Sequence, residues 1–263
     1  MNSSGEPAIG EALTRLDAVT RRLRTECPWD REQDERSIVP HTVEEAYELA
    51  DAAQRGDDGK LLDELGDVLF QVYFLSLLLE ERGQGDLAQV AEHCTEKLIR
   101  RHPHVFGQAE ASTAAEVLRN WDQIKQGEPG REPGVFGEVP ENLPSPLYAR
   151  KVQRRAATSG FDFDGPDPAL AAVREELAEV EASDGRQEQF AEVGDLLFAT
   201  VSVARKLRVD PELSLRAAAD RFRSRVEAGG RLAASEGRNW NDLDPEAQLA
   251  YYAKVQTVGP DPS

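Results

Sequence analysis

The sequence predicts an all-α fold: two tandem helical-bundle domains and no significant sheet. Apolar residues recur at helical spacing through most of the 263 residues. No segment alternates cleanly or clusters β-branched residues between turn signals. The two halves also resemble one another, so each half is a unit of a few helices.

Taken in order, Leu13, Leu16, Val19 and Leu23 mark a first helix, with charges filling the gaps. Thr42, just before Glu44 and Glu45, is a helix start with acids in the first turn, and this helix should end near Gly56. Further helices are expected at about 60–82, stopping at Gly83, at 87–101, stopping at Pro103, and at 114–126. The stretch 127–146, GEPGREPGVFGEVPENLPSP, reads as a linker or ordered crossing because prolines and glycines crowd it. That gives domains at 1–126 and 147–263. The second contains helices at about 147–159, 168–182, 188–207, 211–228 and 245–256.

The formal net charge of −18 argues against non-specific nucleic-acid binding and against docking on an anionic membrane, both of which need a basic patch. It does not argue against a phosphate-bearing substrate, because a divalent cation can bridge carboxylates to phosphate oxygens. Cys27 and Cys94 form no CxxC pair and indicate no disulfide framework. The apolar run Val68–Leu79 is far shorter than the roughly 20 residues a spanning helix needs. No basic start followed by an apolar run marks a signal peptide, so a cytoplasmic protein is expected.

The halves align at two places. VEEAYELADA (43–52) matches REELAEVEAS (174–183) at an offset of 131, and LLDELGDVLFQV (61–72) matches QFAEVGDLLFAT (189–200) at an offset of 128. Both copies carry EExxE followed by ExxD. Glu44, Glu45 and Glu48 share one helix, and neighbours at i, i+3 and i+4 lie on one face. Glu64 and Asp67 are one turn apart on the next. If the helices are antiparallel, four or five carboxylates converge. Such crowding raises their pKa values unless a cation neutralises them. Hard oxygen ligands suit Mg²⁺ or Mn²⁺ rather than zinc. The second set is Glu175, Glu176, Glu179, Glu192 and Asp195.

A single glutamate pair in a chain with 30% charged residues is usually a solvated face. Two features point further here. Glu64 and Asp67 sit in a helix apolar nearly all round, which should be buried, and buried carboxylates are rarely left unpaired. Gly66 and Gly194 also stand mid-helix at a cost of roughly 1 kcal/mol each, as close approach of another helix would favour.

The duplicated EExxE–ExxD, together with CPWDREQ (27–33), EKLIRRHPHVFG (96–107), NWDQIK (120–125) and ARKVQRRAATSGFDF (149–163), resembles the two-domain MazG nucleoside triphosphate pyrophosphohydrolases over nearly the whole chain. These are relatives of the all-α dUTPases and of phosphoribosyl-ATP pyrophosphohydrolase. The resemblance implies a Mg²⁺-dependent homodimer that hydrolyses NTPs and dNTPs to the monophosphate and pyrophosphate. It also implies a housekeeping role against non-standard or excess nucleotides. Water would attack the α-phosphorus and pyrophosphate would leave. The ten carboxylates of the two copies would be metal ligands, with one glutamate per half, among Glu45, Glu48, Glu176 and Glu179, acting as general base. Lys97 and Arg101 would meet the phosphates, while Trp121 and Lys125 would offer a stacking face and a further phosphate contact. Read without the resemblance, Lys97 and Arg101 also suit the C-terminal end of a helix, and Trp121 a core position.

The second half departs from this pattern around complete carboxylates. Arg221 and Arg225 stand where Lys97 and Arg101 stand in the first half, and arginine is not a neutral exchange for lysine. W-x-x-x-K is replaced by AYYAK, leaving Tyr251, Tyr252 and Lys254 as substitutes. Many of those proteins carry a lysine one turn before the second EExxE, where this chain has Ala172. His102 and His104 shape the chain after their helix more readily than they bind metal. Two other classes stay open: a helical nucleotide sensor without turnover, and a di-iron bundle. The latter wants ExxH pairs where Asp67 and Asp195 stand.

Overall fold

A computed structural model describes residues 6–113, 116–117, 120–121, 124, 134–137, 139–140 and 142–258. Helices and one 3₁₀ turn are the only regular elements among the described residues. The chain divides into two compact units, 1–110 with 262–263, and 111–261. Much of the Pro/Gly-rich stretch and Lys125 lie outside the described residues.

The first unit contains α1 (Glu6–Glu26), α2 (Pro28–Glu32), α3 (Glu35–Arg55), α4 (Asp58–Glu81), α5 (Leu87–Arg101) and α6 (Pro103–Phe106). Its centre is an α3–α4 hairpin. Gly56 closes α3 at φ 65°, and Asp57 caps α4 by accepting from the Lys60 amide at 3.0 Å. The short connection folds α4 back on α3, and the two helices pack along one another as a hairpin. Ile38 of α3 packs with Phe74 and Leu78 of α4 as the core. From α1, Arg21 grips Glu80 at 2.6 and 3.0 Å and Arg24 grips Glu81 at 2.8 Å, fastening α1 to the end of α4.

α3 begins seven residues before the Thr42 start that the sequence predicts. Asp34 and Ser37 form a reciprocal capping box at 2.8 and 2.9 Å, and Pro40 is carried inside the helix. The cap and the burial of Ile38 outweigh the one backbone hydrogen bond that proline removes.

The second unit contains α7 (Ser145–Thr158), α8 (Pro166–Ala182), α9 (Arg186–Lys206), α10 (Pro211–Ser235), a 3₁₀ turn (Trp240–Asp242) and α11 (Pro245–Val258). Before α7, Thr113 and Glu116 cap each other's backbone at 3.2 Å, marking the helix start expected near 114. α8 and α9 form the hairpin that matches α3–α4, and α7 packs against α9 and α10. α10 does not stop at Ala228. It continues through Gly229 and Gly230 because the Trp240 ring lies against them, 3.2 Å from where a Cβ on Gly229 would sit. The two glycines serve close approach and do not end the helix.

α4 is not buried all round as its sequence predicts, and neither is its counterpart α9. Leu62, Leu65 and Leu69 stay exposed along α4, and Phe190, Val193 and Leu197 along α9. These are corresponding positions of the duplication.

Candidate metal centre and its surroundings

Each hairpin brings three glutamates together. One carboxylate oxygen from each of Glu45, Glu48 and Glu64 lies within 4.8 Å of the others, and Glu176, Glu179 and Glu192 repeat the group. The geometry follows from the local fold. Positions i and i+3 of α3 share the face that meets α4, and the tight turn sets the register that places Glu64 opposite them. Three hard anionic oxygens at this spacing, without His or Cys, suit a divalent cation of the Mg²⁺ type.

The crowding shows in the electrostatics. Burial pushes the Glu45 carboxyl above its ordinary range, and the charges of Asp67, Glu48, Glu64 and Glu44 add to the effect. Glu176 is raised by desolvation and then by Glu179, Asp195 and Glu175. Glu192 is raised by desolvation, by the Glu179 charge and by a hydrogen bond with Glu179. Asp67 and Asp195 are themselves exposed, near enough to act through their charge but outside the three-carboxylate groups. Glu44 and Glu175 are exposed too and stay outside, and Glu44 faces Nδ1 of His41 at 3.3 Å. One step along a helix turns a side chain by about 100°, so the first glutamate of EExxE falls at the rim.

Lys60 was not visible as a site residue from the motif. Its Nζ stands 3.5 Å from Oε1 of the buried Glu64. The i, i+4 spacing was the signal that could have found it. The duplicated position holds Glu188, which accepts from the Asp184 amide at 2.8 Å.

Lys97 is half-buried on α5, which packs against α4, and Arg101 closes that helix. Nδ1 of His102 meets the Leu98 carbonyl at 2.7 Å, which fits its role in shaping the turn into α6. Trp121 belongs to the second unit, where it lines a cavity of about 310 Å³ with Arg150, Lys151 and Arg154 of α7. Arg221 and Arg225 lie on α10, the first exposed and the second half-buried. Tyr251 does not offer a stacking face: it is 3% exposed and its hydroxyl donates to Glu236. Glu236 also pairs with Lys254 at 3.7 Å, and the Lys254 ammonium lies over the Tyr251 ring. Tyr252 packs on Phe222, ring centres 5.6 Å apart.

Comparison with known proteins shows the family of the chain. The MazG nucleotide pyrophosphohydrolase domain matches residues 33–106, which include the first carboxylate group. A nucleoside triphosphate pyrophosphohydrolase of Escherichia coli (strain K12) is 38% identical over 254 residues, 93% of this chain and 97% of its own length. A nucleoside triphosphate pyrophosphohydrolase/pyrophosphatase MazG of Thermotoga maritima is 35% identical over 250 residues, 94% of this chain and 96% of its own. A solved mazG-related protein from Thermotoga maritima is 24% identical, covers 43% of this chain and 98% of its own, and superposes with a TM-score of 0.38, too low to support an argument about fold.

Proposed function

Because the chain belongs to the MazG family, we propose that it is a nucleoside triphosphate pyrophosphohydrolase, releasing pyrophosphate and a monophosphate from NTPs and dNTPs. The observation that carries this reading is the pair of three-glutamate groups at duplicated positions. Glu45, Glu48 and Glu64 would hold Mg²⁺, or Mn²⁺ in its place, in the first unit, and Glu176, Glu179 and Glu192 in the second. Asp67 and Asp195 would complete the charge, with Glu44 and Glu175 at the rim. A bound cation supplies charge neutralisation for the phosphates and a more acidic water.

The chain's own groups have separable tasks. One glutamate of each group, from Glu45 and Glu48 or from Glu176 and Glu179, takes the proton of the water that attacks the α-phosphorus. The raised Glu45 and Glu176 are suited to that, since an acceptor works best with a pKa nearer neutrality. Lys60 holds the Glu64 carboxylate in place. Lys97 and Arg101, and Arg221 and Arg225 in the second unit, would meet the phosphate tail from the helices that follow each hairpin, with Lys125 and Lys254 as further candidates. The sequence division into 1–126 and 147–263, joined by 127–146, is kept here as a proposal for the functional domains, although the compact units divide at 110/111. The exposed stripes on α4 and α9 favour a homodimer, in which a second copy covers them. No helix among the described residues is long and apolar enough to cross a membrane, in keeping with a cytoplasmic site of action.

The test is product identity. Purified protein incubated with an NTP and dNTP set plus Mg²⁺ should yield monophosphate and pyrophosphate by ion-exchange chromatography. Orthophosphate instead would mean a different bond is cut, and no turnover of any triphosphate would leave a binding protein.

A further inference from the structure

Four cations of α7, Arg150, Lys151, Arg154 and Arg155, stand at i, i+1, i+4 and i+5. That spacing gathers them on one side of the helix. They line a cavity of about 310 Å³ within the second unit, whose other walls include Trp121, Leu143 and Leu147. No carboxylate is among the described residues that line it. In a chain with a formal net charge of −18, this is a local reversal of sign.

The cations are unequally partnered. Arg150 pairs with Asp210, which also caps α10 by accepting from the Glu212 and Leu213 amides at 3.1 Å. Lys151 and Arg155 have no side-chain ion pair or hydrogen bond among the described residues. Arg155 is moreover only 7% exposed. A charge taken out of water alone costs several kcal/mol, so buried arginines are ordinarily paired. Arginine cannot escape that cost by giving up its proton. None of its nitrogens is sealed off, so an anion in the cavity can reach them.

α7 is held from behind. Positions 153 and 156 lie about 200° round the helix from 151 and 154, on the side toward Glu176 and Asp195. There Gln153 donates to the Phe198 carbonyl at 2.8 Å. Just beyond the helix, Asp162 clamps the chain to α9 by accepting from both terminal nitrogens of Arg205 and, at 2.7 Å, from Lys206. The basic side of α7 is thus fixed in place and faces away from the glutamates.

We infer that this cavity binds the phosphate group of a small molecule, without a metal ion, on Lys151 and Arg155. The planar guanidinium fork matches a pair of phosphate oxygens. The volume is at the lower end of small-molecule sites, so an organic remainder has room against Trp121 and the two leucines. The inference goes beyond the hydrolysis proposed above and does not depend on it.

The test uses the full-length chain in EDTA, so that the glutamate groups hold no cation. Inorganic phosphate, inorganic pyrophosphate and a nucleoside monophosphate are titrated by calorimetry. Binding is expected, and Lys151→Met and Arg155→Met should each weaken it by roughly 10- to 100-fold, the range for lost hydrogen bonds to a charged group. Glu176→Gln together with Glu192→Gln should leave the affinity unchanged. Melting separates a ligand-binding arginine from a structural one. Without ligand, Arg155→Met should melt at or above the parent's temperature, because an apolar side chain replaces an unpaired buried charge. Ligand should raise the melting temperature of the parent and not of the variant. Tighter binding of the monophosphate than of inorganic phosphate supports the apolar wall as the seat of the organic part, and equal binding overturns that seat. No binding of any of the three overturns the inference. So does binding that the α7 variants leave intact or that the glutamate variant abolishes. A lower melting temperature of ligand-free Arg155→Met makes the arginine structural and overturns it as well.

Discussion

In the first unit, the buried glutamate on the second helix of the hairpin has a cation one turn away: Lys60 stands 3.5 Å from Glu64. In the second unit, the matching Glu192 has another carboxylate, Glu179, as its hydrogen-bond partner, and Glu188 occupies the lysine's place. The ligand set is the same in both. The first group is partly neutralised by Lys60, whereas in the second the Glu179 carboxylate pushes Glu192 toward its protonated form. A duplicated motif therefore specifies which oxygens converge, and a residue outside the motif sets how much charge they carry when nothing is bound.

The comparison can be broken most decisively by removing ligands. Glu45→Ala and Glu176→Ala should each leave pyrophosphate release from the intact unit, and the double variant should lose more than about 100-fold, since losing a ligand costs at least as much as losing an outer contact to one. Pyrophosphate assays on the three variants decide this. If either single change abolishes all activity, the units do not work independently.

The next effect is on stability. Burial raises the Asp162 pKa, but the hydrogen bonds from Arg205 and Lys206 outweigh that and hold it at about 2. A depressed carboxyl contributes stability above its unfolded value of 3.8, lost as pH falls through about 2. Asp162→Asn should cost the second unit about 2 kcal/mol at pH 7, a gap that closes toward pH 2. Equal melting of variant and parent at pH 7 would remove the clamp from the account. In the first unit, Lys60→Ala should cost about 1 kcal/mol because Glu64 is buried while the lysine is half in water. Glu188→Ala, its counterpart, should be close to neutral. If both cost the same, the contrast between the two groups fails.

The smallest effect is a pH dependence. Glu176 and Glu192 lie above the ordinary glutamate value of 4.5. A raised carboxyl contributes stability that is present below that value and lost as pH rises through the folded pKa. With EDTA, the second unit should therefore soften as pH rises from 4.5, and added Mg²⁺ should raise its melting temperature more at pH 7 than at pH 5. A Mg²⁺ effect that does not change with pH contradicts the shifts.

Much of this was legible in the sequence. Helical periodicity and the doubled EExxE–ExxD give the hairpins and Glu45, Glu48, Glu64, Glu176, Glu179 and Glu192. The remainder depended on contacts that spacing does not encode. Which of Glu44 and Glu45 faces the partner helix depends on the rotation of α3, set by the packing of Ile38 on Phe74. The Asp162 clamp joins residues 43 and 44 positions apart, so no local pattern announces it. Gly229 and Gly230 look like a helix end until Trp240 is seen lying on them. Tyr251 looks like a spare aromatic until its hydroxyl is found on Glu236.

On the proposed reading, each unit contains its own divalent-cation site built from three glutamates. A Mn²⁺ titration followed by electron paramagnetic resonance tests it most directly. Mn²⁺ should bind in both units, with one class of sites removed by Glu64→Gln together with Glu45→Gln and the other by Glu176→Gln together with Glu192→Gln. A titration that neither pair of changes alters would contradict it.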